Sequence, residues 1–229
     1  MKETAFLSTL QLTDTLFPSG GYSHSFGLES YVQEGIVGDR VSFQKLVSSM
    51  VTFSIGSCDA VIIKLIYQDL EKGSLDDVIR LDRMFESMKV VKEFREGSRQ
   101  IGDSLLRVAE SLWEDKMIAG FADAMREGRC FGHYPVVFAL ISRTAGLSPK
   151  EAILAYLYLF LSGLTAAALR LIPLGQREGQ KVIKELQPLL ITVTERALAA
   201  EREDLSSFTP ALDIQGMRHE RLYSRLFRS

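Results

Sequence analysis

Apolar residues recur at three- and four-residue spacing along almost the whole chain, a pattern that predicts helices throughout. Phe43, Leu46, Val47, Met50 and Val51 form one stripe, with Asp39 placed to cap its helix. Ser74-Leu-Asp-Asp77 fits a capping box and opens a helix with Val78, Leu81 and Phe85 on one face. The cleanest stripe is Val91, Phe94, Ser98, Ile101, Leu105, Val108 and Leu112. Within it Ser98 and Gly102 are small and one turn apart, so a second helix can approach there. Met117, Phe121 and Met125 mark the next helix. Pro135 suits the first turn of a helix through Phe138 and Ile141, and Gly146 suits its end. Ser148-Pro-Lys-Glu151 combines a capping box with a first-turn proline, which predicts a tight turn between antiparallel helices; Pro173 ends the second of them. The last long stripe is Val182, Ile183, Leu186, Leu190, Val193 and Ala197, with Pro188 as a point for a kink. Period-two alternation is nowhere sustained, so no strand is expected. The expected fold is all-α: one compact helical domain of about eight to ten helices over residues 1–204, around a buried central helix. Residues 205–229 are set apart as a C-terminal, partner-binding tail.

The segment Ala152–Leu169 carries no charge and is long enough to cross a bilayer. It also holds Tyr156, Tyr158, Ser162, Gly163 and Thr165, it stands alone, and neither flank is rich in Lys or Arg. We read it as the buried central helix, with no membrane span. Charge changes the picture little. The 27 Lys and Arg nearly balance the 29 Asp and Glu, so nothing in the overall charge favours nucleic acid. Cys58 and Cys130 lack CxxC spacing and read as small buried residues of a protein in a reducing compartment. The first residues, MKETAFLSTLQL, read as a helix start rather than a signal peptide, and a cytoplasmic location is expected.

Signatures of chemistry are scarce. There is no GxxxxGK[ST], HExxH, GxSxG or GxGxxG. His24, His133 and His219 are far apart, so a metal site needs the fold to gather them. Two stretches stand out instead. The first is residues 10–29, LQLTDTLFPSGGYSHSFGLE, a loop-like run between helical patterns. Gly20 and Gly21 allow a sharp turn after Pro18, and Gly27 closes the run. Phe17, Tyr22 and Phe26 are then either partner anchors or plugs of the core, and His24 is either a hydrogen-bonding residue or a ligand. An enzymatic alternative has Ser23 and His24, with Asp14 or Glu29, as nucleophile and base. The second stretch is the tail. Leu212, Ile214, Met217, Leu222, Leu226 and Phe227 are interspersed with Arg218, Arg221, Arg225 and Arg228. Such a segment either docks on its own core or fills a partner's groove. A lesser feature is Gln176 and Gln180 on one helical face, with Gly175 and Gly179 also four apart.

The chain resembles the urease accessory protein UreF family in five pieces taken in order. They are LQLTDTLFPSGGYSHSFGLE, REGSRQIG at 95–102, GHYPVVF at 132–138, RLIPLGQREGQ at 170–180 and MRHERLYSRLFRS at 217–229. The resemblance implies a non-enzymatic, all-α homodimer. It implies that the chain bridges UreD (also called UreH) and the GTPase UreG and regulates GTP-dependent nickel delivery to apo-urease. No tightly bound cofactor is implied; nickel passes through the assembled complex. Carried over, the partner-binding residues are Tyr22, His24 and Phe26 in the loop, and Arg218, His219, Tyr223, Arg225, Leu226 and Phe227 in the tail. Any nickel contact by this chain is expected near His24 or His219. Pro18, Gly20, Gly21, Gly27, Gln176 and Gln180 belong to the structural motif.

Overall fold

The computed structural model describes residues 3–14, 16–18 and 20–229. Among them the α-helices are α1 (Glu3–Thr13), α2 (Leu28–Gln33), α3 (Arg40–Met50), α4 (Ala60–Glu71), α5 (Leu75–Met88), α6 (Lys92–Leu112), α7 (Lys116–Arg126), α8 (Tyr134–Thr144), α9 (Pro149–Leu171), α10 (Gln176–Ala199) and α11 (Pro210–His219), with no strand. A π-helical segment, Val51–Asp59, joins α3 and α4 into one rod from Arg40 to Glu71. The described residues therefore form ten α-helical rods.

Local sequence sets most helix starts. The Asp39 carboxylate accepts the Ser42 N–H at 2.8 Å, and Ser74 Oγ accepts the Asp77 N–H at 3.2 Å. Ser148 and Glu151 close a reciprocal box. Each such cap is worth about 1 kcal/mol. Pro135 and Pro149 sit in first turns, and Gly146 leaves α8 at φ +85°. α10 continues through Pro188. The small positions on α6 do what their size permits. A Cβ on Gly102 would run into the Gly132 carbonyl oxygen, and Ser98 Oγ accepts the Tyr134 N–H at 3.2 Å.

α9 packs on α10, α4 and α8 and also meets α2, so it is central. It is not enclosed all round, and this corrects the expectation for Ala152–Leu169. Tyr158 and Ala166 are exposed, and Ser162 and Gly163 are half-buried. A cavity lies against part of that face, lined by Ser162, Gly163 and Ala166, while Tyr158 is exposed outside its lining. The rod Arg40–Glu71 is also long and apolar enough for a bilayer. Its most apolar window is 67% buried inside the fold and that of α9 is 56% buried, as in core helices. The tail is not separate in space: α11 packs on α2 and α6, with Leu212, Gln215, Gly216 and His219 buried.

Candidate functional site where loop and tail meet

The loop turns where glycine permits it. Gly20 (φ +76°) leads into a short 3-10 turn, Gly21–Ser23, and Gly27 (φ +86°) leads into α2. Phe26 between them is at φ +49°, a conformation a bulky residue rarely adopts. Its ring lies 5.7 Å from His24 and 5.9 Å from Phe160, and these contacts hold it there. His24 is buried, with Nδ1 hydrogen-bonded to Ser229 Oγ at 2.8 Å. Burial, then the charge of Arg228, pushes its pKa down to about 4, so the ring is neutral at neutral pH. Gly97 on α6 makes room: a Cβ there would lie 2.9 Å from His24 Nδ1.

Glu29, on α2, joins loop to tail. It is buried and accepts the backbone N–H groups of Leu226 at 2.8 Å and Phe227 at 3.0 Å. His219 Nε2 lies 3.2 Å from the same carboxylate. The other ring nitrogen of His219 lies 2.6 Å from Glu93, which also accepts from Arg225 at 2.7 Å. Ser25 donates its N–H and its hydroxyl to the Ser229 carbonyl at 2.6 and 2.7 Å. Arg218 pairs with Glu34 at 2.6 Å at the surface. The tail thus lies along the loop with its backbone satisfied by loop residues.

The residues singled out from sequence divide by position. Tyr22, 73% exposed, and Tyr223 and Leu226, also exposed, face outward. Arg218 and Arg225 are partly exposed and engaged in ion pairs. Phe26 is half-buried, and Pro18 is exposed. His24, His219 and Phe227 are buried in the chain's own fold, with Arg170 over the Phe227 ring at 5.9 Å. In this conformation these three lie beneath the surface that Tyr22, Tyr223 and Leu226 form. Gln176 and Gln180 are exposed, while Gly179 lets Thr165 approach. The nucleophile and base arrangement does not assemble. Ser23 Oγ donates to the Gly20 carbonyl, Asp14 accepts the Leu16 N–H, and Glu29 is taken by the tail. Cys58 and Cys130 are buried thiols, each pushed up to about 12 by burial. Among the described residues no group of three or more His, Cys, Asp or Glu is disposed to hold a metal ion. Glu29 and Glu93 sit on opposite nitrogens of His219 and do not converge on one point.

Beside the loop lies a mostly apolar cavity of about 200 Å³. Its walls include Phe17, Tyr22 and His24 from the loop, Phe94 from α6, Phe160 from α9 and Leu212 from α11. Its floor is polar. Lys89 Nζ donates to Asp59 at 2.8 Å, and Tyr156 OH donates to the other oxygen at 3.0 Å. Burial lowers the Lys89 pKa, but Asp59, with smaller contributions from Cys58 and Asp213, more than offsets it and the pKa is raised. The Tyr134 ring lies 4.8 Å from that of Tyr156, tilted by 45°, and its hydroxyl has no hydrogen-bond partner among the described residues.

The family model for UreF matches residues 37–187. The urease accessory protein UreF of Bacillus sp. (strain TB-90) is 34% identical over 97% of this chain and 98% of its own length. That of Lachnoclostridium phytofermentans is also 34% identical, over 97% of this chain and 98% of its own. The UreF of Haemophilus influenzae is 32% identical over 96% of this chain and 94% of its own. The chain belongs to the UreF family.

The five pieces that resemble UreF are brought together by the fold. Gly97 meets His24, Ser98 and Gly102 meet the 132–134 segment, Arg170 meets Phe227, and Glu29 meets His219. Within this UreF chain the residues missed from sequence are Glu29 and Glu93 as anchors of the tail, and Asp59, Lys89, Tyr134 and Tyr156 at the cavity. One signal was available. Asp59 and Lys64 are the charges in the otherwise apolar run 51–67, and a charge there needs a buried partner.

Proposed function

We propose that this chain is a non-catalytic scaffold of urease maturation. It joins UreD (UreH) to the GTPase UreG as a homodimer and regulates GTP-dependent nickel delivery to apo-urease. The reading rests on family membership, and one observation carries it to particular residues. Loop and tail are bound to each other through Glu29, and together they leave Tyr22, Tyr223 and Leu226 uncovered. Exposed aromatic and aliphatic side chains on a preorganised surface are what an interface uses as anchors. We assign this face to UreD. A scaffold that binds each partner raises the local concentration of donor and acceptor, so nickel transfer needs no tight site on this chain. Nickel is cargo here and not a resident cofactor.

The test is co-purification with UreD of the chain carrying Tyr22→Ala and Leu226→Asp together. Both side chains are exposed, so the variant is expected to fold as the parent does and to lose UreD at least tenfold, about 1.4 kcal/mol. Retention of UreD at the parent's yield would overturn the assignment of this face. Light scattering of the purified chain with UreD tests the dimer. Nucleotide turnover by UreG, with and without the chain, tests regulation.

A further inference from the structure

The cavity beside the loop is larger than the scaffold role requires. Its volume of about 200 Å³ exceeds the ~150 Å³ that suffices for a benzene ring in a packed core. Phe17, Phe94, Phe160 and Leu212 make its walls apolar. The π-helical segment turns Ser54, Ile55 and Asp59 toward it, and widened helical turns of this kind recur at functional sites. The floor then decides what fits. Asp59 and Lys89 cancel in charge, and both Asp59 oxygens already accept a hydrogen bond. An anionic head would bring an uncompensated charge into a mostly apolar chamber, and a cationic head would find Asp59 already paired with Lys89 and only the exposed Asp14 left to face it. A metal ion would meet the carboxylates of Asp59, already held by two donors, and of Asp14, which accepts the Leu16 N–H at the rim. Among the groups that remain available are the Tyr134 hydroxyl, which has no partner among the described residues, and the Lys89 N–H bonds not given to Asp59.

We propose that this cavity binds a small neutral molecule with an aromatic or branched apolar body and one hydroxyl- or amide-type head, received by Tyr134 and Lys89. The body displaces poorly held water from apolar walls. The head restores hydrogen bonds that the floor otherwise lacks. The site is independent of the scaffold reading, because it needs no partner chain.

The test is isothermal titration of the purified full chain with p-cresol, set against toluene and p-toluate. The three share ring and methyl group and differ at the head: hydroxyl, none, carboxylate. Saturable one-to-one binding of p-cresol is expected, with the other two at least tenfold weaker. Tyr134→Phe should weaken p-cresol about fivefold and leave toluene unchanged, consistent with one lost hydrogen bond. Gly163→Leu supplies a variant that fills the chamber. Gly163 lines the cavity, and no atom lies within 4 Å of where its Cβ would sit. The variant should keep its melting temperature and lose p-cresol. No saturable p-cresol binding, equal affinity for p-toluate, or unimpaired binding by a folded Gly163→Leu chain would each overturn the proposal.

Discussion

Glu29 shows how one side chain can decide the position of a whole segment. Its carboxylate accepts two backbone N–H groups of the tail and faces His219. Glu29→Gln keeps the shape but presents an amide where a second acceptor is needed. Breaking a buried charged network by removing one member costs about 3 kcal/mol. We expect that loss in urea unfolding, with faster hydrogen exchange at Leu226 and Phe227. His24 gives a pH dependence. Its folded pKa is about 4 against 6.5 for the free group, so between these values the unfolded chain binds more protons. Stability from this group is therefore fully present above pH 6.5 and falls as pH drops toward 4, by up to about 3 kcal/mol. Unfolding curves at pH 7 and pH 5 check the sign, and His24→Asn should flatten the difference. A hydrogen-bonding His24 and a tail docked on its own core were each one of two readings of the sequence, but the role of Glu29 was not legible. Ser23, His24 and Glu29 looked like neighbours for catalysis, but Glu29 is taken by residues about two hundred positions away, and no local pattern encodes that pairing.

At the scale of elements, the sequence was most legible where the physics is local. The caps at Asp39, Ser74 and Ser148 and the first-turn prolines at 135 and 149 act over three or four residues, and they placed helix starts well. The small residues of α6 were read as a contact, although their partners at 132–134 and His24 were not. The π-helical segment went unseen, because its apolar composition, VTFSIGSCD, suits an α-helix equally. Two glycines separate packing from tolerance. Gly102→Ala meets a backbone carbonyl that cannot yield and should cost about 3 kcal/mol in thermal or urea unfolding. Gly163→Ala enters open space in mid-helix and should gain about 0.5–1 kcal/mol in the same assay.

For the molecule as a whole, the order of the chain and its order in space part company at the tail. Residues 205–229 were set apart as a tail, yet Pro210 opens α11, which packs onto α2 and α6. Removing residues 210–229 should leave the helical circular dichroism of α1–α10 largely intact, because among the described residues the removed segment gives that buried core only Leu212 and Phe227. The melting temperature should fall by about 10 °C or more, since Glu29, Glu93 and Phe94 lose their cover. Binding to UreD should be lost as well.

Leu212 stands on the tail helix and in the wall of the cavity. A partner that lifts α11 from the body removes part of that wall. Filling the chamber and lifting the helix are therefore opposed events in one thermodynamic cycle. Whatever factor an occupant imposes on release of the helix, release imposes on the occupant's affinity.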